Sequence, residues 1–287
     1  MSATVIEVVA VRVPERSWRS EVRAARIVWR RDLIRFTTDR MRIATMLIQP
    51  LLFLFALGAG LQTLAAPSTD GVDLKTFIYP GILCMALVFS AMFNAVSLVM
   101  DRELGFLREM LVAPVRRSSI VVGKCLGGAT VASLQGVILL ALAGFVDVPY
   151  DPLLLLGLFG LMLLIAFTVT AFGVMVAVRV KQIQTFTTVM QMLVMPLFFL
   201  SGALYPVAGL PTGLAALTRL NPLTYAVDPL RRLVFDHLDV SEAARQTLAP
   251  GVTWFGWRVP SLVEVAIVLA LGLAMMGVAI VQFSRTR

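Results

Sequence analysis

Six stretches of this chain are apolar over about the 20 residues that a helix needs to cross a bilayer. Their approximate bounds are 43–64, 77–100, 120–146, 153–178, 185–204 and 262–283. Nothing else in the sequence limits the fold as strongly. The expected fold class is an all-α polytopic membrane protein with six transmembrane helices. Ser118 and Ser119 are placed to cap the third span, and Pro196 removes a backbone donor within the fifth and is expected to kink it. Composition agrees: of 287 residues 59% are hydrophobic and 15% charged, with a mean hydropathy of +0.87. A soluble domain of this size carries roughly a quarter charged residues.

The net charge of +8 raises nucleic acid as a partner, but its distribution argues against one. Ten arginines lie in the first 42 residues and most of the others flank apolar runs. That is the mark of a cytoplasmic membrane face. With the N-terminus inside, the inner segments hold those arginines together with Arg102, Arg108, Arg116, Arg117, Lys124, Arg179, Lys181, Arg285 and Arg287. The two short outer loops hold Lys75 beside Asp70, Asp73, Asp147 and Asp151. Both termini are therefore expected in the cytoplasm. The N-terminus has mixed charge and no apolar core before a small-residue cleavage site, so no removed signal peptide is expected.

Cys84 and Cys125 fall in or beside apolar runs and read as free thiols. His237 is the one histidine, too few for a His/Cys metal site. No GxxxxGK[ST] phosphate loop occurs. Gly123 and Gly127 of GKCLGG form a small-xxx-small pair suited to close helix packing. The span cores are read as essentially free of Asp, Glu, Lys, Arg and His, which argues against proton coupling and ion conduction. Gln62, Ser90, Asn94, Ser97, Gln135, Thr168, Thr170 and Gln191 are the mild polar groups, read chiefly as bonding between helices.

Residues 1–42 form the cytoplasmic N-terminus and 43–287 the spanning domain. In the first of these, Trp18, Val22, Ala25, Trp29, Leu33 and Phe36 recur every three or four residues, with Arg19, Arg23, Arg26 and Arg30 one step behind. This is an amphipathic helix of the membrane interface, its rings among headgroups, or else a helix packed on the rest of the protein. Between spans two and three, RELGFLREMLVAPVRR places Leu104, Leu107 and Leu111 on one helical face, with Pro114 ending the helix. By periodicity alone the segment is equally a connector resting on the bilayer. Before the last span, residues 205–235 are apolar but broken by Pro206, Pro211, Pro222 and Pro229. They read as short helices entering the outer leaflet under a cover of protein.

Two motifs carry a family resemblance. The first is E-x-G-x-x-[RK]-E-x-L-x-[AT]-P-x-[RS], matched by Glu103, Gly105, Arg108, Glu109, Leu111, Ala113, Pro114 and Arg116. Gly123, Lys124, Gly127 and Gly128 follow it. The second is SGALYPVAGLP with LNPLTYAVDPLRR, matched by Ser201, Gly202, Tyr205, Pro206, Leu210, Pro211, Asn221, Pro222, Tyr225, Asp228 and Arg231. Together they resemble the ABC-2 type permeases, membrane subunits of ATP-driven exporters of the type V arrangement. The pattern is similar to the daunorubicin-resistance and nodulation-factor export permeases.

The resemblance implies a coupling helix over 102–114 seated in a separate ATP-binding subunit, present in two copies, which binds ATP and Mg. Arg102, Glu103, Leu104, Gly105, Leu107, Arg108, Glu109, Leu111, Pro114 and Arg116 would form that contact. It also implies a second permease chain, identical or similar, and a bacterial cytoplasmic membrane. The chain itself would hold no cofactor and catalyse nothing. Asn94, Gln135, Met190, Gln191, Met195, Phe198 and Phe199 are the candidate path lining, in and around TTVMQMLVMPLFFL, although the apolar ones equally suit a lipid-facing surface. Hydrophobic or amphipathic drug-like or lipidic cargo follows. Two rivals are a lipid-linked polysaccharide exporter and a membrane enzyme acting on lipids. The enzyme would use the cluster Asp228, Arg231, Arg232, Asp236 and His237, which also reads as a solvated loop or a cap on the re-entrant segment.

Overall fold

The computed structural model describes residues 17–60, 73–105, 116–207, 210–238, 240–254 and 256–285. Its centre is a helix of 30 residues, Leu74–Glu103, about 45 Å long at 1.5 Å per residue. It is third in the order α1 (Trp18–Thr38), α2 (Arg40–Gly60), α3 (Leu74–Glu103), α4 (Arg117–Leu140), α5 (Pro152–Ala177), α6 (Ile183–Phe199), α7 (Thr212–Leu220), α8 (Thr224–Asp236), α9 (Glu242–Leu248) and α10 (Ser261–Arg285). A two-residue antiparallel ladder, Thr253–Trp254 with Trp257–Arg258, turns the chain at Gly256 before α10.

Among the described residues, five helices are long and apolar enough to cross a membrane: α2 from Ile43, α3, α4, α5 and α10. The expected fifth span, 185–204, is instead the 17-residue helix α6, which ends at Phe199 in a turn. Pro196, three residues before that end, is inside the helix. α3 runs three residues past its expected bounds at each end, because Asp73 caps its start through the Lys75 amide and Gly105, at φ +82°, closes its other end. α4 is shorter than expected. It stops at Leu140, a 3-10 turn spans Ala143–Val146, and Asp147 takes a left-handed conformation.

α3 packs on α2, α4, α5 and α6, while α5 also carries α10, and α8 lies across α3, α5 and α10. In its most apolar stretch α3 is 83% buried, against 17% for α2 and 22% for α10. The last two are therefore peripheral, with broad apolar faces left for lipid or another chain. Lipid is as apolar as leucine, so such helices associate by close packing rather than by escape from water. Small residues supply the approach. A methyl group on Gly81 would stand 2.2 Å from the Ala203 carbonyl oxygen, so α3 touches the turn after α6 backbone to backbone. On α4, Gly128 meets Asn94 and Thr170, and Gly136 meets Met162. The expected Gly123 and Gly127 pair is also used, and its partner is α1: their added methyls would strike Ala25, Val28 and Asp32.

Candidate functional site

Two polar constellations stand at opposite ends of this bundle. The first surrounds the segment between α3 and α4. Of its expected coupling residues, Leu107, Arg108, Glu109, Leu111 and Pro114 lie outside the described residues. Arg102 and Glu103, read from sequence as the start of that segment, are the last turn of the long helix α3. The helix signal simply continues through them to the glycine.

Arg102 reaches the C-terminal end of α5, donating to the carbonyls of Val180 at 2.7 Å, Val178 at 3.0 Å and Ala177 at 3.4 Å. Cations suit a helix C-terminus, where carbonyls lack intrahelical partners. On the far side of the segment, Glu21 of α1 accepts the Arg116 amide at 3.0 and 3.2 Å and the Ser119 hydroxyl at 2.5 Å. The Arg116 guanidinium stands 3.9 Å from the same carboxylate. The expected serine cap is thus replaced by a carboxylate from another helix. Arg116 is the N-cap and has no side-chain bond in that role, while Ser119 points to Glu21. Both ends of the segment are clamped, and Glu103 and Leu104 are exposed beside it.

α1 lies along the first turns of α4. Its buried face is Glu21, Val28, Asp32 and Phe36, not the Trp stripe. Trp18 is 82% exposed, and Trp29 is half-buried with its indole N–H on the Thr130 hydroxyl at 3.0 Å. Arg19, Arg23, Arg26 and Arg30 are exposed. The helix therefore packs on the protein through a face bearing two acids, and presents arginines outward.

One turn further along, a buried ionic hub joins three helices. Lys124 donates to Ser97 at 2.7 Å and Asp32 at 3.1 Å, and stands 3.4 Å from Asp101. Arg31 reaches Asp101 at 2.6 Å and Arg35 does so at 3.5 Å. Lys124, Asp32 and Asp101 are each at most 5% exposed. This corrects the expectation of charge-free helix interiors: the charge pattern places Lys124 with the inner segments, yet it is inside the bundle. Spacings of seven, four and four from Glu21 to Phe36 were the available signal, and the tryptophans concealed it.

The second constellation holds the later motif. Arg231 is buried, its guanidinium 4.3 Å above the Phe77 ring, and donates to the carbonyls of Gly202 at 2.7 Å and Ala203 at 3.1 Å. Burial lowers its pKa to about 10, Asp228 opposing the shift, so it stays a cation at neutral pH. Gly202 is at φ +74°, which explains that residue type. Asn221 donates to the Leu197 carbonyl at 2.5 Å and accepts the Leu223 amide at 3.0 Å. Tyr225 donates to the Arg219 carbonyl at 2.6 Å and accepts the Trp254 indole at 2.9 Å. Arg232 meets Asp228 at 2.6 Å and Glu264 at 3.3 Å.

The reading of Asp228, Arg231 and Arg232 as a solvated loop is corrected: these three are interior, and they fasten α8 to the turn after α6 and to α10. Asp236 is exposed, and His237 lies 3.0 Å from the Leu233 carbonyl through Nδ1. Tyr205, Pro206 and Pro222 are half-buried and Pro211 is exposed. Glu264, unremarked in the sequence because it opens an apolar run, completes the lock.

The candidate path residues separate into two groups. Asn94, Gln135, Met190 and Phe198 are buried, and Asn94 donates to its own helix at Ser90. Gln191, Met195 and Phe199 are on the exposed side of α6. One cavity of about 70 Å³ lies among Val88, Thr168, Val194, Leu223 and Met275. Sites for drug-sized molecules run from roughly 300 Å³ upward.

Comparison with known families decides the class. The model of the ABC-2 type transporter family matches residues 23–235, most of the chain. This chain belongs to the ABC-2 type transporter family. It is 33% identical over 193 residues to the "Putative transport permease ycf38" of Cyanophora paradoxa, covering 65% of this chain and 66% of that one. It is 29% identical over 218 residues to "Nodulation protein J" of Rhizobium leguminosarum bv. trifolii, covering 73% and 80%. It is 29% identical over 165 residues to the "Probable multidrug ABC transporter permease YbhR" of Escherichia coli K12, covering 56% of this chain and 44% of that one. Family and apolar helices together make it a multi-pass membrane protein.

Proposed function

We propose that this chain is the permease subunit of an ATP-driven exporter that moves hydrophobic or amphipathic molecules, drug-like or lipidic, outward across a bacterial cytoplasmic membrane. The observation that carries the reading is that Arg102 and Arg116, described residues on either side of 106–115, are each held by another helix. A segment that must receive force from a partner has to pass it to the spans, and Arg102 ties its entry to α5 while Glu21 ties its exit to α1 and α4. Its apolar comb of Leu104, Leu107 and Leu111 would seat in a separate ATP-binding subunit, which holds ATP and Mg. Two such subunits and two permease chains make the working complex, with both termini of this chain in the cytoplasm.

Three further observations support it. α6 leaves a broad apolar surface exposed in one chain, Met195 and Phe199 included, so the path would form between two chains on such faces. α6 is about 25 Å long, short of a core of roughly 30 Å. It would complete the sixth crossing with the turn behind it, where Arg231 satisfies carbonyls that lipid would leave bare. The multidrug name of YbhR favours amphipathic cargo over lipid-linked polysaccharide. The enzyme reading loses its cluster, because Asp228 and Arg232 pair with each other, Arg232 also with Glu264 of α10, and Arg231 is taken up by backbone carbonyls.

The test is co-purification of this chain with the ABC-type ATPase encoded beside it. Wild type is expected to retain the ATPase and Leu107→Asp to lose it, while the variant stays in the membrane at wild-type level. Equal retention by both would remove the coupling role of the segment.

A further inference from the structure

A groove of about 720 Å³ runs from α1 across α4 to α5 and α10, and neither motif accounts for it. Its floor is apolar: Leu126 and Ala129 of α4, Leu163, Leu164 and Phe167 of α5, and Leu269 of α10. Leu126, Leu163 and Leu269 are each at least 40% exposed. Gly160 deepens it, since nothing lies within 4 Å of where its methyl would be. The α5 and α10 residues are near the middle of their helices, at the depth of lipid chains.

Polar groups gather at one end. There the Trp29 indole and the Thr130 hydroxyl bond to each other, and Thr130 donates onward to the Leu126 carbonyl at 2.8 Å. Both are satisfied by the protein. Arg26 is not: it lines the groove, is exposed, and makes no ion pair among the described residues. Arg23 and Arg30, at spacings of three and four, stand on the same side of α1.

We propose that this groove seats one anionic phospholipid, an acyl chain along Gly160 and Phe167 and the phosphate at Arg26 and its neighbours. Charge chooses the occupant. An apolar trough at the depth of lipid chains, with the exposed Arg26 guanidinium at one end and Arg23 and Arg30 nearby on the same helix, complements an amphipath with a negative head. The lipid would fill the angle between α1 and α5, which the two helices leave open while both pack on α4. The proposal rests on the membrane location and stands whether or not the chain exports.

The test is native mass spectrometry of the full chain in mild detergent, offered palmitoyl-oleoyl phosphatidylglycerol or phosphatidylcholine with the same chains. Wild type is expected to keep one phosphatidylglycerol with about tenfold preference. Arg26→Gln, at an exposed position, is expected to erase the preference, and Gly160→Leu to lower retention of both lipids at unchanged thermal stability. Equal retention of the two lipids by wild type, or full retention by Gly160→Leu, would overturn the site. Competition by 10 mM inorganic phosphate would show a headgroup-only anion site and overturn the chain's part. Displacement by equimolar rhodamine 6G would make the groove a cargo site, and the lipid assignment would fall.

Discussion

The two buried ionic constellations are built on opposite plans. Around Lys124, side chains from α1, α3 and α4 meet one another, so each charge depends on a partner some 70 to 90 residues away, as Arg31 does on Asp101 and Lys124 on Asp32. Around Arg231 the partners are largely backbone carbonyls and a residue one turn away, as with Arg232 and Asp228. A hub made of side chains from three helices depends on how those helices sit relative to one another. A guanidinium driving two carbonyls holds one loop in one place. The first plan ties three helices to one another, and the second pins one turn of backbone to one helix.

Breaking the hub is expected to have the largest effect. Lys124→Met removes the ammonium that Asp32 and Asp101 share, and removal of one partner from a buried ion cluster costs about 3–5 kcal/mol. Thermal unfolding in detergent should show it, with partial recovery in Lys124→Met with Asp101→Asn. A stability equal to wild type would show that water already reaches the hub.

Next comes Arg231→Met, which bares the Gly202 and Ala203 carbonyls and costs about 2–3 kcal/mol for hydrogen bonds to a charged group. Arg231→Lys should recover only part, since an ammonium lacks the planar face that lies over the Phe77 ring and is more strongly hydrated. Full recovery would mean that the site needs charge alone.

Glu21→Gln tests the clamp between the two plans. Loss of the charged cap is expected to cost about 1 kcal/mol in stability. Its larger consequence should be on the coupling of ATP hydrolysis to transport, measured in reconstituted vesicles. Normal coupling in this variant would leave Glu21 a cap and no more.

The smallest effect is one of pH. A cation whose folded pKa is lowered is penalised by burial, fully below that value and progressively less between it and the unfolded value. For Arg231 the folded value is about 10. The stability gap between wild type and Arg231→Met should therefore be flat from about pH 6 to 9. A slope across that range would assign the titration to a different group.

How much of this was legible beforehand differs between elements. Five of the expected spans coincide with long apolar helices, the third overrunning its helix into the Ala143–Val146 turn, because a bilayer demands length and apolarity, both of which are local. The fifth expected span was read too long: apolar residues continue to Leu204, but the chain turns after Phe199, and hydropathy does not register a turn whose carbonyls a distant arginine satisfies. Charge at Arg102 and Glu103 looks like the end of the helix, whereas Gly105 ends it. Gly123 and Gly127 announced a close contact without naming its partner. For α1 the aromatic stripe drew attention from the acids, and the acids proved to face the protein.

By itself the sequence determined that the chain lives in a membrane, where its crossings begin, and which two motifs place it in its family. Those properties depend on transfer of each segment into lipid, a sum over neighbours in the chain. Only the tertiary structure decided which charges are interior and whom they meet. A carboxylate on α1 is costly or stabilising according to what stands within about 4 Å of it, and for Asp32 that is a lysine 92 residues on.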